Sequence, residues 1–442
     1  MLSPDDLEIV KRDSDVPGLA TVLDAGALTL ALRNHLPDAA IEAVEPIYVH
    51  YKPQTNCLVA FRVRTTEGEA LAYAKAYGAD AGVKLEKTRE LLNVPSPVGP
   101  GTLILESTNI GVYFFPIDHR LKSLRRLARP DTQRSLIREL FGDFPEYSTA
   151  TLRHLRYKPE RRYVAYLETP SRPRFLVKFF TPAGYRAAKA AAQAFCFLGQ
   201  TGKERRTYFL DRHNVMGLEW LPGRLLSDTI LAEDEHEGDS ARAIESAGSA
   251  LAEMHSAAPA KLRKISRADE IRRLEAQATT IWHLCPALGA RAEGLVGKII
   301  PALEKLSKEK TALHGDFYDK QVLLSDGIPV ILDLDEARLG HPGIDLGLFI
   351  AHLERHQLYD RVSEVELDNY ADALVRGYQR ARRAPSAAAI HLYTAIGLLH
   401  LAAEPFRYRD QHWRDQAEKI LARVDALLNR HFSAIPLSHA RS

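Results

Sequence analysis

Residues 313–347, LHGDFYDKQVLLSDGIPVILDLDEARLGHPGIDLG, constrain the fold more than any other stretch of the chain. Two apolar runs, 321–324 and 329–332, are rich in Val, Ile and Leu, and Ser325-Asp326-Gly327 lies between them. Short apolar runs flanking an Asp-Gly turn predict a tight β-hairpin. Asp316 and Gln321 then stand before and at the start of one strand, and Asp333 stands at the end of the other. Two carboxylates and an amide are brought to one end of a small rigid element. Oxygen donors in that number suit a hard divalent cation such as magnesium, which keeps several waters and takes one or two carboxylates. A carboxylate just ahead of the metal group can orient a hydroxyl or accept its proton, which is the division of labour in kinase-type phosphoryl transfer.

These residues carry a resemblance. The stretch resembles the aminoglycoside phosphotransferase and choline kinase group, small-molecule kinases with a protein-kinase-like fold. Their loop reads His-Gly-Asp-x-x-x-x-Asn, then an apolar strand, an Ile-Asp pair and a closing Gly-Asp-Pro-x-x-Asp-Leu. Here His314-Gly315-Asp316 matches the first triplet, Gln321 takes the Asn position, Asp333 the metal-binding Asp, and Gly340-His341-Pro342 with Asp345-Leu346 the closing motif. His341 stands where the group has Asp. The resemblance implies Asp316 as the catalytic Asp, Gln321 and Asp333 as metal ligands, and His314 and Asp345 as structural. Asp335 is a further metal candidate, or else a solvated turn carboxylate. Gln at the Asn position is similar to bacterial maltokinases and leans toward a sugar substrate.

The rest of the chain is consistent with this. At 442 residues it exceeds the ~250–300 at which single cores usually divide. A net charge of +2 gives no electrostatic case for nucleic-acid binding. Cys57, Cys196 and Cys285 are far apart, without metal-ligand spacing, as expected of reduced thiols in a cytoplasm. The first fifteen residues lack the apolar core of a signal peptide, and no apolar run approaches the ~20 residues of a membrane span. A cytoplasmic protein without membrane or nucleic-acid partners is expected, with a small-molecule hydroxyl compound as partner and homodimer formation left open.

Read in order, the chain starts with two short helices, then strands over 47–52, 57–65 and 70–77, a helix over 80–92 and strands over 102–105 and 112–115. A helical stretch, 119–141, is interrupted at Pro130. The pattern then recurs: strands over 155–158, 162–168 and 174–180, a helix over 183–198, and strands over 207–210 and 217–221. Tyr51-Lys52-Pro53 and Tyr157-Lys158-Pro159 anchor the two copies, and each copy has one lysine on its third strand, Lys75 and Lys178. The expected architecture is α+β: a protein-kinase-like bilobal fold with a duplicated β-rich N-terminal lobe and a large helical C-terminal lobe. Its parts are a β-rich cap or N-lobe-like domain over 1–148, an ATP-binding N-lobe over 149–222, and a helical lobe over 223–442 with the catalytic loop.

By the kinase resemblance, Lys178 is assigned to the α/β-phosphates. The helix after it holds no acidic residue to pair with it, so its partner, and which copy holds nucleotide, stay open. The turn 158–162 has no Gly, and Arg161 and Arg162 can hold phosphates in its place. The stretch 217–226, with Glu219 and Leu221, resembles the family's adenine-binding hinge. His255 reads as a packed structural residue. Arg407, Tyr408, Arg409, His412 and Trp413 either line a substrate cleft or pack on the helices. The expected activity is ATP- and Mg2+-dependent phosphate transfer to a hydroxyl of a small, sugar-like molecule. The alternative is a catalytically silent nucleotide-binding or scaffold protein. Only eleven residues separate Asp333 from Asp345, too few for a protein kinase's activation segment. In a third reading the first copy is a lid or scaffold, and deleting 1–145 leaves nucleotide binding intact.

Overall fold

The computed structural model describes residues 2–78, 81–142, 147, 149–169, 175–195, 206–232, 237–257 and 262–432. It divides into two compact units. The first comprises 1–186, 206–220 and 405–414, and the second 187–205, 221–404 and 415–442. The sequence boundary at 148/149 therefore falls inside the first unit, and the one at 222/223 lies two residues from an observed division.

The first unit opens with α1 (Pro4–Arg12), α2 (Leu19–Leu23) and α3 (Ala25–His35). Ser3 caps α1 by accepting from the Asp6 N–H, and Asp24 caps α3. A meander of β1 (Ile41–Lys52), β2 (Asn56–Thr65) and β3 (Gly68–Tyr77) follows, then α4 (Ala81–Arg89). The small pair β4 (Pro95–Ser96) and β5 (Gly99–Pro100) leads into β6 (Thr102–Leu105) and β7 (Ile110–Phe114). The sheet order is β1-β2-β3-β7-β6. Helix α5 (Pro130–Phe141) comes next. Pro130 starts this helix rather than interrupting one, because a first-turn position needs no N–H donor.

The second copy comprises β8 (Thr151–Lys158), β9 (Arg162–Glu168), β10 (Phe175–Phe180), α6 (Pro182–Ala194), β11 (Thr207–Leu210) and β12 (Val215–Glu219). Its order is β8-β9-β10-β12-β11, the topology of the first sheet repeated. The predicted helix end at 198 lies outside the described residues, as does Cys196. The repeat extends to register. Lys75 faces Leu58 and Gly111, and Lys178 faces Val164 and Met216. In both copies the partner on the last strand lies two residues beyond a left-handed Asn, Asn109 or Asn214, each at φ 53°. Each such Asn accepts the N–H of the residue ending the third strand, Tyr77 or Phe180, at 3.0 Å.

The core beneath the second sheet is built largely by α5 and its approach: Leu124, Leu136, Ile137 and Phe141 pack with Tyr163, Phe175 and Val177. Segment 405–414 closes the first unit. Arg409 forks onto the Asp6 carboxylate at 2.7 and 3.2 Å, and Arg414 meets Asp5 at 2.9 Å. Trp413 is buried against Phe406. Arg409 and Trp413 of this cluster are thus packing residues.

The second unit holds β13 (Arg224–Leu225), α7 (Leu226–Ile230), α8 (Glu237–Ser256), α9 (Arg267–Leu284), α10 (Pro286–Lys305), β14 (Thr311–Leu313), β15 (Val322–Ser325), β16 (Ile328–Ile331), β17 (Arg338–Gly340), α11 (Gly343–Leu358), α12 (Glu364–Ala381) and α13 (Ala387–Leu401). After α14 (Glu404–Arg407) the last described element is α15 (Trp413–Phe432). Helices α8 and α12 meet at glycines: a Cβ on Gly377 would fall 1.8 Å from the Glu245 carbonyl oxygen, so only glycine allows this approach. The window Ala387–Arg407 is long and apolar enough to cross a membrane by composition, contrary to the sequence expectation, but 67% of it is buried in the protein. It reads as a core helix. Cys57 and Cys285 are buried free thiols.

Candidate active site

The predicted hairpin is present, with β15 and β16 paired antiparallel from Val322↔Ile331 to Ser325↔Ile328. Asp326 (φ 50°) and Gly327 (φ 77°) are both left-handed, the pattern a two-residue type I′ loop demands. At the open end the Leu332 N–H donates to the Gln321 carbonyl at 2.8 Å. Gln321 and the residue before Asp333 are therefore direct backbone partners. Gln321 is 7% exposed, and its side-chain amide makes no hydrogen bond to any described residue. Asp333 is itself left-handed (φ 58°, ψ 55°), a region that Asp and Asn enter more readily than other L-residues.

The loop carrying Asp316 is held from below. Asp345 is fully buried at the first turn of α11. Its Oδ2 accepts the His314 N–H at 2.7 Å, and its Oδ1 accepts the Gly315 N–H at 2.8 Å. His255, 1% exposed, meets Asp345 Oδ2 through Nε2 at 3.0 Å and the Tyr378 hydroxyl through Nδ1 at 2.9 Å. Burial works to raise the Asp345 carboxyl. The His255 hydrogen bond and charge and the Gly315 N–H more than offset it, and hold the group below the usual carboxylate range. Gly315 has φ 85°, and a Cβ there would meet Arg338 and the Glu336 carbonyl at 2.3 and 2.4 Å. Arg338 closes over the same turn, donating to the Gly315 carbonyl at 2.9 Å.

His314 joins the loop to the hairpin. Its Nδ1 accepts the Asp316 N–H at 3.2 Å, which leaves Nε2 to donate to the Leu332 carbonyl at 2.6 Å. Asp316 itself is exposed. Asp335 lies half-buried two residues beyond Asp333, on a short 3₁₀ turn. The structure adds a support that the motif did not show. Asp319 is 1% exposed, on the turn that carries Gln321, and meets His356 Nε2 at 3.0 Å. Burial opposes its charge, but the His356 hydrogen bond and charge keep its carboxyl low.

The residues assigned to nucleotide lie in the first unit, except Leu221. Lys178 is 5% exposed on β10. Arg161 is exposed and Arg162 half-buried where β9 begins. Glu219 ends β12, and its carboxylate takes the Arg206 guanidinium at 2.9 Å, leaving hinge recognition to backbone groups. The division between units falls at 220/221, beside these hinge residues, and Leu221 belongs to the second unit. Sequence reasoning missed Asp118 and Glu160, and saw Tyr157 only as a repeat anchor. Asp118 Oδ2 accepts the Tyr157 hydroxyl and the Glu160 N–H, each at 2.8 Å. The signal was available. In the first copy, Asp13 Oδ2 accepts the Tyr51 hydroxyl at 2.5 Å and the Gln54 N–H at 2.9 Å. Extending the repeat upstream from the Tyr-Lys-Pro anchors would have found both aspartates.

For magnesium, the donor set fits on chemistry: a buried amide with no hydrogen-bond partner among the described residues and a half-buried carboxylate, both offering oxygen, at one hairpin end. Among the described residues no group of three His, Cys, Asp or Glu is placed to hold a metal. A site of this kind would therefore rely on Gln321, on Asp333 or Asp335, and on non-protein oxygens.

Two lobe-like sheets in tandem and a His-Gly-Asp loop braced by a buried aspartate define a kinase-like phosphotransferase. The family described as "Phosphotransferase enzyme family" matches residues 160–388, just over half the chain. The chain belongs to that family. Among solved structures, it is similar to the choline kinase LicA from Streptococcus pneumoniae, at 14% identity over 67% of this chain and 99% of that one, with a TM-score of 0.48. A choline/ethanolamine kinase family protein from Mesorhizobium loti is 16% identical over 69% and 95%, with a TM-score of 0.45. The macrolide 2'-phosphotransferase MphH from Brachybacterium faecium is 16% identical over 66% and 98%, with a TM-score of 0.42. No curated protein matches the chain.

Proposed function

We propose that the protein transfers the γ-phosphate of ATP to a hydroxyl of a small, sugar-like molecule in the cytoplasm. The observation that carries this is the braced loop: buried Asp345 fixes the backbone of His314 and Gly315, and His314 ties exposed Asp316 to the strand leading into Asp333.

In this reading Asp316 orients the acceptor hydroxyl and takes its proton as the hydroxyl oxygen bonds to the γ-phosphorus. The bond from that phosphorus to the β–γ bridging oxygen breaks, and ADP leaves. Lys178 neutralises the α/β-phosphates, and Arg161 and Arg162 serve where a Gly-rich loop serves in protein kinases. Backbone groups near Glu219 and Leu221 take the adenine. Gln321 and Asp333, with Asp335 beside them, would hold magnesium, which neutralises phosphate charge when bound. Most of the rate then comes from positioning and charge stabilisation. Charge supports this acceptor class. A polycationic acceptor would want clustered carboxylates, whereas 346–442 is rich in Arg.

The test is phosphate transfer from ATP, with magnesium, to a panel of sugars, aminocyclitols and amino alcohols, with Asp316→Asn beside the native chain. Transfer to a sugar-like acceptor, reduced ~10²–10⁴-fold in the variant, is the expected result. Magnesium-dependent nucleotide binding without transfer to any acceptor would favour a silent binder. No nucleotide binding would remove the kinase reading.

A further inference from the structure

The two sheets carry the same lysine in the same register, and the lysine of the first sheet meets the turn of the second. Lys75 Nζ lies 2.6 Å from Glu160 Oε2, and the two side chains are 15% and 11% exposed. Glu160 sits at the tip of the β8–β9 turn, the turn that covers phosphates in the proposed function. It is left-handed at φ 57°. The same position in the first copy is Gln54, also left-handed at φ 59°.

Both turns are held by an upstream aspartate, Asp13 for the first and Asp118 for the second. Asp118 is fully buried, and its Oδ1 also accepts the N–H groups of Arg120 and Leu121 at 2.7 and 2.8 Å. It is thus a rigid post with every lone-pair direction in use. What the second turn adds is charge. A neutral Gln in the first copy is replaced by Glu160, and a lysine of the first sheet meets it. A Gly-rich loop gains its backbone approach to phosphate through absent side chains. This turn has none of those glycines and instead carries a left-handed residue fixed at three points: backbone N–H, side-chain carboxylate and the neighbouring Tyr157 hydroxyl.

We propose that the first sheet is a clamp for the second sheet's phosphate-covering turn: Lys75 and Asp118 are positioning residues that act through Glu160, and Lys75 does not touch nucleotide. The ion pair holds the tip of the turn, so Arg161 and Arg162 are presented by a preordered backbone and nucleotide binding need not order it. This rests on the kinase reading for its consequence, but not for the clamp itself. It also reverses the expectation for the 1–145 deletion. That truncation removes Lys75 and Asp118 together with the helix under the second sheet, and nucleotide binding is lost with them.

The experiment uses the full chain and the variants Lys75→Met, Lys75→Arg, Glu160→Gln and the double Lys75→Met/Glu160→Gln. Amide exchange over 157–163 is measured without nucleotide, and KM for ATP and kcat are measured separately. Expected are faster exchange and a rise of about tenfold in KM for ATP in Lys75→Met and Glu160→Gln, with kcat within about twofold. Lys75→Arg restores both, and the double variant is no worse than either single. Glu160→Gln keeps the backbone and its Asp118 bond, so it remains informative if Lys75→Met folds poorly. Loss of kcat in Lys75→Met with unchanged exchange and no rescue by Arg would overturn the proposal and make Lys75 a phosphate contact. Unchanged exchange and unchanged KM in both single variants would also overturn it. If the native chain binds no nucleotide, the kinase reading fails and exchange alone decides: faster exchange in Glu160→Gln upholds the clamp, and unaltered exchange refutes it.

Discussion

The imidazole of His314 donates through Nε2 to the carbonyl of Leu332 at 2.6 Å while its Nδ1 accepts the N–H of Asp316. One ring therefore sets the distance between the loop bearing Asp316 and the strand end bearing Asp333. His314→Phe keeps the ring volume and removes both bonds. We expect a loss of about 2–3 kcal/mol in urea unfolding, because a buried donor and acceptor are left unmet. We also expect a fall in kcat at unchanged nucleotide affinity. Unaltered kcat would show that the two segments are set by the backbone alone.

Asp345 supports more than its own helix. Replacing it by Ala orphans two backbone N–H groups and leaves His255 without its carboxylate. The expected cost is about 3–5 kcal/mol, measured by denaturant unfolding. Asp345→Asn retains one acceptor and should lose less. Because the folded carboxyl is held low, its stabilisation is present above the ordinary Asp range near pH 3.8 and is lost as pH falls through the depressed folded value.

Asp333 separates strain from function. Asn tolerates the left-handed region and Ala does not. Asp333→Ala should therefore be about 1–2 kcal/mol less stable than Asp333→Asn. Both should abolish magnesium-dependent transfer. Equal melting temperatures for the two would mean that the backbone relaxes once the carboxylate is gone.

His341 predicts a pH dependence. It is 5% exposed, its Nδ1 accepts the Gly343 N–H at 3.1 Å, and Nε2 meets the Ser307 hydroxyl at 3.3 Å. Burial, then the Arg267 charge, lowers its pKa to about 4 from 6.5. The unfolded chain therefore binds this proton more readily than the folded one. Stability should fall as pH drops from 6.5 to about 4, and this contribution should be flat outside that window. His341→Asn keeps an acceptor without titrating. Unfolding free energies across pH 4–7 should fall less steeply for it than for the native chain. An identical slope would assign the dependence elsewhere.

What could be read in advance was what is local. The hairpin, the His-Gly-Asp loop and the closing motif are written in adjacent turn residues and short apolar runs, and all fall within 313–347. The tandem sheets showed through two Tyr-Lys-Pro anchors. Contacts between distant positions did not show. Lys75 and Glu160 are 85 residues apart, and His255 and Asp345 are 90. Periodicity describes the face a residue shares with its own element, not the partner that meets it. The Arg407–Trp413 cluster looked equally suited to a cleft or to packing for the same reason: nothing in its own neighbourhood names Asp6 as its destination. Pro130 was misplaced because proline both ends helices and begins them, and only the next turn decides which.

The bond from Arg409 to Asp6 joins positions 403 residues apart, within a single compact unit. During synthesis both sheets, complete in sequence at Glu219, leave the ribosome before segment 405–414 is translated, so Asp6 is made long before its partner Arg409. Termination between 220 and 404 would yield a chain with both sheets intact in sequence and the first unit unsealed, a natural mark for cellular quality control.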